Sequence, residues 1–266
     1  MLRFSEFTSK LFGVPRGETH VESHVDRLPF VGHPSTTLIQ EYLVETLRPG
    51  MRVLEIGTGE GSVAISAAEL GAQVIALDID AEAVAAAQAQ ADKKSISQER
   101  MQLLVADLDR AFMGDQIIFE RQFDVIVCNL PSSPLPEEWI EDPVRDGGVD
   151  GRMYLDRLLA PTNRIHRLLR PGGQLIIIQS NVSNVDKTIA ALTQPVGIGL
   201  GLSIRRIDAH EILAGEHTRT VAKYLAKNAT QGLCLGEQCK LREVGGDLFY
   251  TLYLLVAQSD PLSIPE

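Results

Sequence analysis

Polar residues stand where four apolar runs end, and their types and spacing carry the chemistry of this sequence. The first run ends in Glu55-Ile56-Gly57-Thr58-Gly59-Glu60-Gly61. Glycines at alternate positions let the backbone turn tightly and approach a ligand closely. The second run ends at Asp78, seventeen positions after Gly61, with Ile79 beside it. A carboxylate there can accept both ribose hydroxyls of an adenosine. The third ends in Ala106-Asp107-Leu108, where Asp107 could accept from an adenine amine. The fourth ends in Asn129-Leu130-Pro131-Ser132. A glycine loop alone is a weak signal, because plain strand–helix turns use one too, and a lone aspartate often only shapes a turn. Four polar ends in register are harder to explain in that way.

The glycine spacing discriminates between adenosine ligands. A dinucleotide fingerprint, G-x-G-x-x-G, would put its third small residue at position 62, where Ser62 stands; the glycine falls at 61. Glu55, ahead of the first glycine, would repel a pyrophosphate. A cationic sulfonium ligand with an amino group tolerates that charge better, so NAD is the second choice.

The elements that must position these residues follow from the pattern of the chain. Pro34-Ser35-Thr36-Thr37 can cap a helix through LIQEYLVETL, with Leu38, Tyr42 and Leu43 on one face and Pro49-Gly50 after it. Strands and helices then alternate: MRVLEIG, the helix SVAISAAEL, AQVIALDID, the alanine-rich helix AEAVAAAQAQADKK, MQLLVADL, FDVIVCNL, a helix over GRMYLDRLLAPTNRIHRLL closed by Arg170-Pro171-Gly172-Gly173, and QLIIIQSN. Continuous apolar strands between helices imply a doubly wound α/β fold with a mostly parallel sheet covered on both faces. LSIRRIDAHEIL and LFYTLYLLVAQ would pair antiparallel at its edge, giving seven strands. In such a sheet ligands bind beyond the carboxyl ends of the strands, at the topological switch point. Residues 1–33 read as an N-terminal lid or helix. Residues 34–260 read as the main domain, with a possible substrate-lid insertion at 213–247 that includes Glu216, His217, Arg219, Lys223 and Tyr224. A solvated surface excursion explains that insertion equally well.

Bulk composition narrows the partners. Thirty-five acidic residues against 25 Lys and Arg leave a formal charge of −10, which disfavours non-specific binding to a phosphate backbone. No apolar run is long enough to span a bilayer, and MLRFSEFTSK lacks the apolar stretch of a secretory signal. Cys128, Cys234 and Cys239 form an odd set without framework spacing, as suits reduced thiols in a cytoplasm.

The residues also resemble a known family. VLEIGTGEGSVAISAA resembles the first motif of the class I S-adenosylmethionine-dependent methyltransferases, and VIALDIDAEAVAAA the second. FDVIVCNLPSSPLP resembles the segment carrying Asn-Pro-Pro-Tyr in the amino-methyltransferases. DGGVDGRMYLDRLL followed by LLRPGGQLIII resembles the HemK-like branch, the release-factor glutamine methyltransferases. The resemblance covers residues 33–190.

It implies a Rossmann-like methyltransferase fold, S-adenosylmethionine as cofactor and S-adenosylhomocysteine as product. Glu55, Gly57, Thr58, Gly59 and Gly61 would line the methionine part, Asp78 and Ile79 the ribose, and Asp107 with Leu108 the adenine. Asn129 would border the cofactor as well and would accept from the nitrogen that receives the methyl group, with Pro131 and Ser132 completing the catalytic loop. Leu130 replaces the family's first proline, and Ser132 replaces the aromatic that would stack on a planar amide. These departures point to a small-metabolite nitrogen, with a protein glutamine as the alternative. An NAD-dependent oxidoreductase and a non-catalytic cofactor-binding protein are the competing classes.

His20 and His24, spaced i, i+4, could hold a metal on a helix, but no third ligand pattern accompanies them or His33, and no metal is expected. Trp139 could cap the substrate or pack. The sequence carries no indication of oligomeric state.

Overall fold

The computed structural model describes residues 33–107, 122–134, 147–163, 165–215, 219, 221 and 241–261. The expected N-terminal lid with His20 and His24, Leu108, Trp139, Cys234, Cys239 and most of the 213–247 segment lie outside them.

The described elements are α1 (Pro34–Thr46), β1 (Arg52–Ile56), α2 (Ser62–Glu69), β2 (Gln73–Asp78), α3 (Ala81–Lys93), β3 (Met101–Val105), β4 (Phe123–Cys128), α4 (Met153–Leu158), β5 (Leu169–Ser180), α5 (Val185–Thr193), β6 (Ser203–Leu213), β7 (Arg242–Val244) and β8 (Asp247–Gln258). The sheet runs β3-β2-β1-β4-β5-β8-β6, with β7 pairing only β8. β1 to β5 are mutually parallel, while β8 is antiparallel to both β5 and β6. This is the doubly wound, mostly parallel sheet expected, with its antiparallel pair at one edge. β8 is inserted inside β6, so β6 is the outermost strand, and the hairpin partner β7 makes an eighth strand.

Alternation along each strand feeds two cores. Leu54, Ile56, Ile126, Cys128, Leu175 and Ile177 face α4 and α5. Val53, Val125, Val127, Ile176 and Ile178 face α1 and α2, which present Leu38, Ile39, Tyr42 and Leu43, and Val63, Ala64 and Ala67. α1 starts with Pro34 at its first helical position, where a fixed φ and a missing N–H cost nothing. α3 is capped by Asp80, whose carboxylate accepts the Glu82 N–H at 2.8 Å.

One expected element is broken. Residues 151–169 form α4 and then two short 3-10 turns, Pro161–Asn163 and Ile165–Leu168. Pro161 cannot continue an α-helix, and it biases Ala160 away from helical backbone. Arg170-Pro171-Gly172-Gly173 lies within β5 instead of capping a helix. Leu169 pairs Phe123 and Gln174 pairs Val125, so five steps on β5 oppose two on β4. Gly172 has φ +78, and a Cβ on Gly173 would sit 2.9 Å from the Phe123 carbonyl, so the glycines form this bulge.

Candidate functional site

The chain runs outward through β1, β2 and β3, then returns to lay β4 on the other side of β1. The switch point thus lies between β1 and β4, and the Gly57 loop and Asn129 flank it. A cleft of about 1330 Å³ opens there, lined by Glu55, Gly57, Thr58, Gly59, Asp78, Ile79, Asp107, Asn129, Pro131 and Ser132. These expected residues are therefore brought to one cavity; Gly61, expected to line the methionine part, is not among its lining residues, because it is turned against Ala87 of α3. The size of the cavity suits a nucleoside-sized ligand with an acceptor beside it.

The three glycines serve different ends. A Cβ on Gly57 (φ +76) would meet Leu130 Cδ2 at 2.7 Å, and one on Gly61 (φ +81) would meet Ala87 Cβ at 2.8 Å. Both are held by packing within the protein. A Cβ on Gly59 (φ +52) would meet nothing within 4 Å, so this is the glycine that leaves space for a ligand. Leu130 fills the ground above Gly57.

Gly61 gives α2 no side-chain cap. Glu55 takes that role from the preceding strand. Its carboxylate is 2% exposed, accepts the Thr58 hydroxyl at 2.6 Å and accepts the Ala64 N–H in the first turn of α2. Burial pushes this carboxyl up to about 8, opposed by those two hydrogen bonds and assisted by the charge of Asp78.

Asp78 accepts the Gly59 N–H at 2.8 Å through Oδ2 and the Asp80 N–H at 3.1 Å through Oδ1. Each oxygen retains a lone pair for a ribose hydroxyl, so the carboxylate both shapes the loop and remains able to bind. Ile79 is 62% exposed, an apolar surface at the same rim. Asp107 pairs with Arg157 of α4 at 3.4 Å, a contact that sequence reasoning missed because Arg157 is fifty positions away. Among the described lining residues, Glu60, Asp78, Asp80, Glu82 and Asp107 face the cleft against the single guanidinium of Arg157. Such a field favours a cationic ligand and opposes a pyrophosphate.

Asn129 continues the face of Val125 and Val127, towards α1. Its Nδ2 donates to Ser35 Oγ at 3.3 Å, and Ser35 Oγ lies 2.7 Å from His33 Nδ1. Sequence reasoning assigned Ser35 only to a helix cap; the contact spans 94 positions and left no local signal. The loop after Asn129 rests on Gly147-Gly148-Val149-Asp150-Gly151. Gly147 donates its N–H to Ser133 O at 2.9 Å. A Cβ on Gly151 (φ +71) would fall 2.5 Å from Ser132 O and 2.8 Å from Ser183 Cβ. The next residue, Arg152, is buried and donates to Ser183 O, Asn184 O and Thr188 Oγ1. The glycine-rich stretch is thus a buttress for the Ser132 loop. Gly151→Ala should cost about 2 kcal/mol, from left-handed strain and overpacking. Urea denaturation checks it; an unchanged midpoint refutes the buttress.

Cys128 is buried, and burial pushes its thiol up, so it stays neutral and serves as core. No group of three or more metal-ligating side chains occurs among the described residues. No helix among them is long and apolar enough to cross a membrane.

Comparison with known proteins gives the same reading of the fold. Residues 47–230 match a family model described as a methyltransferase domain. A Methanocaldococcus jannaschii protein bearing the name protein N5-glutamine methyltransferase is 33% identical over 158 residues, 58% of this chain and 73% of that protein. The ribosomal protein L11 methyltransferase of Desulfitobacterium hafniense is 39% identical over 100 residues, 37% of this chain. The chain spans only 29% of the length of that second relative. The crystal structure of a Bacillus halodurans protein described as a methyltransferase superposes with a TM-score of 0.51 at 14% identity, covering 86% of this chain and all of that one. That last likeness is one of fold.

Proposed function

This chain belongs to the methyltransferase-domain family, and from that premise we propose that it transfers the methyl group of S-adenosylmethionine to a nitrogen held at Asn129. The observation that carries this reading is the placement of Asn129 across the switch point from an acid-lined glycine loop, in one cleft. The sulfonium supplies a methyl carbon that is already a strong electrophile. Catalysis by the chain is then mainly positioning. Asn129 Oδ1 accepts an N–H of the acceptor and turns the nitrogen lone pair towards the methyl carbon. With S-adenosylmethionine bound, the acceptor nitrogen would take the methyl group from sulfur, which would keep the bonding electron pair, and the displaced proton would leave to solvent. Glu55 and Asp78 hold the cationic and ribose ends of the cofactor, and Gly59 leaves room for it.

The preferred acceptor is a small metabolite. Ser132 offers a hydroxyl where a stacking aromatic would favour a planar side-chain amide. A protein glutamine is the second reading, favoured by the name of the M. jannaschii relative. Transfer of labelled methyl to a glutamine-bearing release-factor peptide and to a metabolite extract separates them. Efficient labelling of the peptide glutamine would defeat the small-molecule preference.

The cofactor assignment is checked by calorimetry with S-adenosylhomocysteine and NAD; binding of NAD alone would sink it. Asp78→Ala removes charge-assisted hydrogen bonds worth about 1.5–3 kcal/mol each. Cofactor affinity should fall about tenfold or more, and an unchanged affinity in the folded variant rejects the ribose role.

A further inference from the structure

An asparagine side chain presents an oxygen and an NH2 group of nearly the same shape, and only the oxygen can accept from a methyl acceptor's N–H. Something must decide which of the two faces the cleft. The arrangement at the start of α1 can make that choice. Asn129 Nδ2 donates to Ser35 Oγ at 3.3 Å, and the same oxygen lies 2.7 Å from His33 Nδ1. A neutral imidazole accepting at Nδ1 takes the hydroxyl hydrogen of Ser35, which leaves the Ser35 oxygen as an acceptor for Asn129. We propose that Ser35 is a positioning residue that fixes the Asn129 amide with its oxygen towards the methyl acceptor, through the His33–Ser35–Asn129 hydrogen-bond chain. The proposal rests on the functional reading above and deepens it.

Three features suit Ser35 to this role. It is buried, with 4% of its surface exposed, so bulk water does not readily replace its hydroxyl. It sits in the first turn of a helix anchored by Leu38, Ile39, Tyr42 and Leu43, all buried. The turn is closed by the Thr37 N–H on His33 O. A group on a rigid, packed element can hold a partner to the tolerance that catalysis needs. One such hydrogen bond biases the two amide orientations about tenfold.

The test needs no knowledge of the natural acceptor. The amine analogue of S-adenosylmethionine carries C–NH3+ in place of S+–CH3, so on the functional reading above its ammonium would stand where the transferred methyl stands and would donate to Asn129 Oδ1. Calorimetry gives its affinity relative to S-adenosylhomocysteine. Asn129→Ala should lower this ratio about tenfold. Ser35→Ala should lower it by a similar factor, leaving S-adenosylhomocysteine affinity unchanged as a control for folding, and Ser35→Thr should restore it. In an Asn129→Asp background, Ser35→Ala should change nothing, because a carboxylate presents oxygen in either orientation; a purely structural role would still show a loss there. Ser35→Cys, a weak acceptor of similar size, gives the same loss if the alanine variant proves unstable. A wild-type ratio in Ser35→Ala alongside a lost ratio in Asn129→Ala overturns the proposal and leaves the functional reading standing. An unchanged ratio in Asn129→Ala, or failure of the wild-type chain to bind S-adenosylhomocysteine, overturns that reading and the proposal with it.

Discussion

Asn129→Ala should lower turnover about 100- to 1000-fold while cofactor affinity stays within about twofold, the loss expected when a group that aligns reacting atoms is removed. The amide lies at the end of β4, opposite the Gly57 loop, and contacts Ser35 on α1. Its removal leaves the glycine loop, Asp78 and Glu55 untouched, so the cofactor should bind as before. What is lost is the acceptor's orientation at the methyl carbon, an interaction that counts chiefly in the transition state. A merely structural asparagine would behave differently: the variant would melt earlier and keep its turnover. Labelled-methyl assays on whichever acceptor the wild-type chain uses, run beside calorimetry, separate the two. Equal turnover in variant and wild type ends the catalytic role.

Glu55→Gln should abolish a steep pH dependence of stability in the ligand-free protein. The buried carboxyl titrates near 8 in the folded chain, against an ordinary value of 4.5, because burial disfavours its charge more than Thr58 and Ala64 favour it. The folded state therefore holds this proton more tightly than the unfolded one. The resulting stability is complete below about pH 4.5, declines as pH rises, and is gone above about pH 8. Across that window it is on the order of 4 kcal/mol. Glutamine keeps an oxygen for the Ala64 N–H and carries no titrating proton. The variant should thus lack this decline and exceed the wild-type protein in stability at pH 8.5, with the difference shrinking towards pH 5. Denaturant titrations at the two pH values measure this difference, and parallel curves would refute the argument. A bound cation beside Glu55 favours ionisation, so cofactor binding below pH 8 should release a proton in the wild-type chain and not in the variant.

Much of this site was legible from one-dimensional pattern. Glu55 to Gly61, Asp78, Asp107 and Asn129 end apolar strands, and parallel strands in a doubly wound sheet carry their ends to one side. What pattern could not show was contact at long range. Ser35 reads as a helix start, and only the packing of α1 over the Val125–Val127 face brings it to Asn129. Arg157 carries no local signal of its partner, and only the placement of α4 sets it against Asp107. The helix expected over 151–169 is broken because Pro161 cannot continue it, whatever the hydrophobic spacing around it. Arg170–Gly173 reads as a helix stop, since nothing local distinguishes a glycine cap from a glycine bulge. The packing of Leu130 over Gly57, where an added Cβ would come within 2.7 Å of its Cδ2, likewise has no local signal.

The position of β8 has a bearing on how the molecule is made. β1, β2 and β3, with α2 and α3 between them, are neighbours in sequence as well as in space, so the half that carries the glycine loop and Asp78 can assemble with short loop closures. The other half cannot. β5 and β6 have no contact as sheet partners until β8, residues 247–258, arrives between them. During synthesis both strands must therefore wait with open hydrogen-bonding edges, a condition that invites pairing with other chains. β8 also supplies Tyr250 and Leu252 to the cleft, so during synthesis the glycine loop and Asp78 can be in place before the lining of the cleft is complete.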